Sequence, residues 1–217
     1  MPDIFATFRA LVGKKTYSSD SEITPRAGKG GQLMVSHLYP GLYQLAKDGD
    51  VHHWATPDEG VAPGTDVAGT AAAIVLHNTS GSGLDLTVYG ARLAYESGTL
   101  GAGPLYWVRA PNNIDAVPTG TNMLYTSGYM DGRGAPGGIR ALYTATIAAA
   151  DPTIWRIFGR LDASLATTAG IGQNVLVDDM DGGMVVAPGW WIAVMGDAAA
   201  GSTPLVGISV TCLTSPV

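Results

Sequence analysis

Two strand-like runs meet at a Pro-Gly corner in the last quarter of the chain, and this junction limits what the chain can become. Met184-Val185-Val186-Ala187 leads into Pro188-Gly189, and Trp190-Trp191-Ile192-Ala193-Val194-Met195 leads out. Proline presets φ for the first corner of a turn, and glycine supplies the positive φ that a type II turn needs at the second. The run that follows alternates: Val206, Ile208, Val210 and Cys212 fall on one face, Gly207, Ser209 and Thr211 on the other. Period two over that length is the signature of a half-buried strand. A chain that ends this way is expected to finish inside a sheet, with its last residues structural rather than catalytic.

The same pattern fills the chain from Val61 onward. Strands are expected over 71–78, 84–96, 105–110, 123–130, 139–148, 153–161 and 174–177, besides the C-terminal runs. In the long 84–96 run, Leu84, Leu86 and Val88 share one phase and Leu93 and Tyr95 the other. A slip of one residue at Gly90-Ala91 is what a β-bulge produces. In 153–161, Trp155, Ile157, Gly159 and Leu161 face one way and Ile154, Arg156, Phe158 and Arg160 the other. Apolar residues on both faces imply that the second face also meets protein. No helical period of useful length appears after residue 60. Many short strands separated by turn signals mean a sandwich or barrel, and strand count and length favour an eight-stranded jelly-roll β-sandwich. The fold class expected is therefore all-β.

Residues 1–60 read differently, as an arm and hinge with short helices, ahead of a β domain over 61–217. Pro2 and Asp3 suit a helix start. Ile4, Phe5, Phe8, Leu11 and Val12 follow at helical spacing, and Gly13 can stop the helix. About ten residues are too few to hold a helix in water alone, so the stripe needs a docking surface. That surface is either a neighbouring subunit or the end of its own domain. Gly28-Lys29-Gly30-Gly31 lacks the spacing of a phosphate-binding loop and reads as a hinge. Gln32–Ser36 and Val51–Trp54 suit short strands, and Pro40–Ala46 one or two helical turns ending at Gly49.

Composition narrows function. Only 14% of the residues are charged, well under the usual quarter. So little charge fits a protein whose sides are covered by neighbours, a homo-oligomer. The net charge is −6 and no basic run occurs, so nucleic-acid binding has no electrostatic basis. All four lysines lie by Lys47, and every later cation is arginine: Arg92, Arg109, Arg133, Arg140, Arg156 and Arg160. Arginine suits bidentate, partly buried pairs. These are interface, intersheet or simply exposed strand positions, and Arg156, Phe158 and Arg160 are taken as subunit-interface candidates. Cys212, the single cysteine, falls on the apolar face and reads as core. No stretch resembles a signal peptide, and none reaches the ~18 apolar residues of a membrane helix. The Asn78-Thr79-Ser80 sequon is accordingly read as coincidental, and the protein as made in a cytoplasm, without a membrane partner.

No catalytic constellation emerges, so no enzyme, cofactor or metal is expected. The histidines are His37, His52, His53 and His77. Neighbours His52 and His53 would point to opposite faces of a strand and cannot chelate one ion together. Asp178-Asp179-Met180-Asp181-Gly182-Gly183 lacks calcium-loop spacing. It reads as a tight turn between strands, or as a cation site at a subunit junction. Asp131-Gly132-Arg133-Gly134 also reads as a turn. No Gly-x-Ser-x-Gly precedes a helix. Carboxylate pairs for glycoside hydrolysis come from remote positions, yet Glu59 and Glu96 are the only glutamates after residue 50. Trp190-Trp191 puts one ring on each face, so one at most is free to stack a sugar.

Three stretches carry a likeness. They are Gly30-Gly31-Gln32-Leu33-Met34-Val35-Ser36 with Tyr39 and Tyr43; Asn78-Thr79-Ser80-Gly81-Ser82-Gly83 before a long strand; and Ala187-Pro188-Gly189 before an aromatic-apolar one. Together they resemble small virion proteins of tailed bacteriophages, particularly head decoration (cement) proteins and short head fibres. The resemblance implies a trimeric jelly roll on the capsid surface whose arm touches the major capsid protein. The expected function is thus a non-enzymatic capsid decoration protein. The alternative is a receptor- or carbohydrate-binding fibre or tail module.

Overall fold

The computed structural model describes residues 42–64, 66–98, 101–111, 117–147, 152–161, 175–196 and 205–217. Two compact units divide the chain, residues 1–41 and residues 42–217. The arm stripe Ile4, Phe5, Phe8, Leu11 and Val12 lies outside the described residues, as does the expected strand 32–36.

The described residues of the second unit are all-β apart from one short helix, α1 (Tyr43–Asp48). Gly49 ends α1 in the left-handed region, φ 87°, and its N–H bonds back to Ala46 O. The strands are β1 (Val51–Ala55), β2 (Ala71–Asn78), β3 (Leu84–Ser97), β4 (Gly103–Pro111), β5 (Thr119–Asn122), β6 (Leu124–Ser127), β7 (Ile139–Thr146), β8 (Thr153–Leu161), β9 (Val175–Val186), β10 (Trp190–Gly196) and β11 (Leu205–Pro216). They form two antiparallel sheets facing one another as a sandwich. Sheet one runs β6, β1, β11, β3, β9; sheet two runs β5, β7, β2, β10, β4, β8. Strand β1 sits between β11 and β6. Among the described residues the sandwich therefore begins at Val51, inside the segment read as arm and hinge.

Alternation builds the core between the sheets. Val206, Ile208, Val210 and Cys212 of β11 all point inward, as their spacing predicts. The Pro188-Gly189 corner closes with Trp190 N–H donating to Ala187 O at 3.2 Å, and Gly189 has φ 82°. The phase slip in β3 is real. Thr211 pairs with Gly90 and Cys212 with Val88, so Tyr89 is bulged out, and the inward set changes from Leu86 and Val88 to Ala91 and Leu93.

The acidic run departs from expectation. Residues 178–183 lie within β9 rather than between two strands. Val88 pairs with Met184 and Gly90 with Asp179, so 180–183 loop out of the ladder opposite Tyr89. Positive φ at Asp181 (46°) and Gly182 (82°) makes the excursion possible.

Sheet two is apolar on both faces. Ile74, Leu76, Trp107, Ile192 and Val194 enter the intersheet core. Val75, Val108, Leu142, Trp191, Ala193 and Met195 alternate with them and form a second buried cluster on the outer face. Most antiparallel sandwich sheets present a polar outer face to water.

Candidate functional site

The chemistry-bearing side chains are dispersed. Among the described residues no three of His, Cys, Asp and Glu come together as a metal site would require. His52 and His53 do point to opposite faces. His52 is buried and hydrogen-bonded to Tyr125 Oη (3.1 Å) and Thr214 Oγ1 (2.9 Å), while His53 meets Thr211 Oγ1 (3.0 Å). Burial, helped by the neighbouring His53, lowers the His52 pKa to about 4, so the ring is neutral at pH 7. His77 is buried on the outer face of sheet two, its pKa lowered by burial and by Arg140. Burial pushes the Cys212 thiol up, which suits a core residue rather than a nucleophile. Asn78 is fully buried, and its Nδ2 donates to Leu84 O (2.7 Å) and Val186 O (2.8 Å). It ties the β2–β3 loop to β9 and is no accessible glycan acceptor in the folded state.

The edge formed by β8 and β9 carries the informative geometry. These are the outermost strands of sheet two and sheet one, and they touch. Asp178, on β9, is 6% exposed and crosses between the sheets. Its carboxylate accepts from Trp107 Nε1 (3.0 Å) and from the Arg156 guanidinium (2.6 Å). Arg156 thus takes the intersheet role among those open to it. Gly159 of β8 lets Leu176 approach; a Cβ there would lie 2.7 Å from Leu176 Cδ1.

Two irregularities in the β8–β4 ladder reorient β8. The face expected to hold Ile154, Arg156, Phe158 and Arg160 together does not exist. Pairing skips Trp155 and Phe158. Phe158 enters the core against Trp107, ring centroids 5.5 Å apart, so it is not a surface residue of this unit. Ile154 and Ile157 are left exposed, 49% and 63%, beside Val108 and Tyr106, and Arg160 is exposed with them. Simple period-two reading missed both isoleucines because each irregularity inverts the faces.

At one end of this edge, by the Pro188-Gly189 corner, a cleft of about 150 Å³ opens. Arg109, Trp155, Trp190, Val185 and Ala187 line it. Trp190 is 38% exposed and Trp191 1%, so one ring is free and one is core, as the sequence predicts. The Arg109 guanidinium carbon lies 5.0 Å from the Trp155 ring centre and 5.9 Å from that of Trp190. Both distances fit cation–π stacking. Among the described residues Arg109 has no carboxylate partner. The lone charged tip is held between rings at a solvent-open mouth.

No protein-family model matches the chain. No curated protein matches it either. Among solved structures, a chain of "KBV activated particle at acidic pH" aligns over 99% of this chain and 85% of that one, at 10% identity and a TM-score of 0.25. A likeness that low carries no argument about either fold or function.

Proposed function

We propose that this chain is a non-enzymatic structural protein of a virus particle, a homotrimeric jelly roll that decorates and cements a phage capsid. The observation that carries the reading is the exposed pair Ile154 and Ile157 on edge strand β8, at the border of the buried outer cluster of sheet two. Edge strands with exposed apolar rows are a liability for a solitary molecule and an asset for one that assembles.

Strand order supports the fold half of the reading. Eight strands, taken as β1, β2, β3, β4, β8, β9, β10 and β11, give sheets ordered β1-β11-β3-β9 and β2-β10-β4-β8. Successive strands change sheet at six of the seven connections and only β4 to β8 stays within one sheet, the nested wrapping of a jelly roll. β5, β6 and β7 are then an insertion between the fourth and fifth strands, extending both sheets at the far edge. Jelly rolls recur in viral capsid and lectin domains, and fold alone does not choose between them. The exposed apolar pair on β8 favours the role that assembles.

In this reading Ile157 and Arg160 lie at subunit contacts, and the arm stripe around Phe5, Phe8 and Leu11 grips the capsid shell. Joining three arms turns weak contacts into firm attachment through effective concentration. Light-scattering mass measurement at micromolar concentration should give a trimer, and Ile157→Lys should shift it to monomer without loss of folding. A wild-type monomer overturns the reading. Removing residues 1–31 should leave a folded trimer unable to decorate capsids; full occupancy by the truncated protein removes the arm from it.

A further inference from the structure

We infer that the Arg109 cleft binds an acidic saccharide, one uronate or sialate ring at a time. The argument is independent of the assembly reading, because Trp155 packs on the intersheet side of β8, while Ile154 and Ile157 lie beside Val108 and Tyr106 of the outer cluster.

The guanidinium has no anionic partner of its own among the described residues. Its contacts with the Trp155 and Trp190 rings use none of its N–H donors in a hydrogen bond, which leaves them for an acceptor. A planar carboxylate fits that edge bidentately, where a single-point acceptor wastes it. Beside the guanidinium and exposed polar atoms, the side chains of Val185 and Ala187 and the two indole rings add apolar surface to the lining. They suit the C–H face of a sugar ring, as amphipathic aromatic side chains do wherever one side is apolar and the other wet.

Size restricts the ligand. At about 150 Å³ the cleft is half the smallest usual drug-sized pocket. It admits one ring and leaves the rest of a chain in solvent. The frame is rigid: the corner is closed by Trp190 N–H to Ala187 O, and Gly189 N–H donates to Asn78 O at 2.9 Å. Asn78 itself is anchored to Val186 O. The ligand therefore meets a preformed mouth.

The test is a tryptophan-fluorescence titration of the full chain with two matched pairs: 3′-sialyllactose against lactose, and a galacturonate trimer against a galactose trimer. At least one acidic member should give a saturable change below about 10 mM, with its neutral partner at least tenfold weaker. Which acid responds tells sialate from uronate. Arg109→Ala should abolish the response and Arg109→Lys weaken it more than tenfold, while solution mass and melting temperature stay at the wild-type values. Equal binding of acidic and neutral sugars overturns the proposal. So does silence from both acids, or a response that survives Arg109→Ala. Should Arg109→Ala unfold, Arg109→Lys judges it: unchanged affinity in that variant rejects the fork.

Discussion

Asp178 decides more than any other single side chain how the β8–β9 edge holds together. Its carboxylate satisfies an indole N–H from sheet two and a guanidinium from the edge strand, all from a buried position. Asp178→Ala strands the Trp107 N–H inside the core and leaves Arg156 unpaired. The Arg156 side chain is 42% exposed, so solvent screens part of that loss. A destabilisation of about 2–3 kcal/mol is expected from the buried donor and the weakened pair. Arg156→Ala should cost less, about 1 kcal/mol, since the Trp107 bond survives. Urea unfolding of both variants and the double variant checks this; additivity would mean Asp178 and Arg156 do not act as a unit. Little of this clasp was legible in the sequence. Asp178 stood among three aspartates, and only the excursion at 180–183 determines which of them turns inward. Cys212 was legible, because its strand keeps a constant period.

At the scale of elements, turns and alternation were read well and irregular ladders poorly. β2 and β8 begin and end where apolar runs do. The Pro188-Gly189 corner follows from two residues whose backbone preferences point the same way. β8 shows the opposite case: its residues were identified but their facing was not, since two ladder irregularities swap Phe158 inward and Ile157 outward. Nothing local encodes such a swap; it follows from fitting Trp155 and Phe158 into space that β4 and β9 leave. The corner offers a prediction. Gly189→Ala should cost about 1–2 kcal/mol, because φ 82° penalises any Cβ. Crowding adds little: the new Cβ would sit 3.7 Å from Ser80. Pro188→Ala keeps the turn's hydrogen bond and should cost under about 1 kcal/mol through the unfolded state. Thermal melts of the two variants rank them, and a larger loss for Pro188→Ala would mean the glycine conformation is not what sets the corner.

For the whole molecule, acid is the condition that turns buried histidines against the fold. His52, His53 and His77 all have lowered pKa values, with burial as the leading cause. In the unfolded chain each takes up a proton as pH falls through about 6.5. Folded His52 resists until about 4. Between those values the unfolded state binds more protons, so stability is full above pH 6.5 and declines as pH drops toward 4. His52 alone accounts for at most about 3.5 kcal/mol of that decline, from its shift at ~1.4 kcal/mol per pH unit. The ring is also structural, joining β1 to Tyr125 and to β11 through Thr214, so charging it loads sheet one where β6, β1 and β11 meet. Urea midpoints measured at pH 7.5 and pH 4.5 should fall for the wild type. His52→Gln, which keeps an amide able to reach hydroxyls, should start lower at pH 7.5 but lose less on acidification. Parallel losses in the two proteins would move the acid sensitivity away from His52 to other groups in the chain.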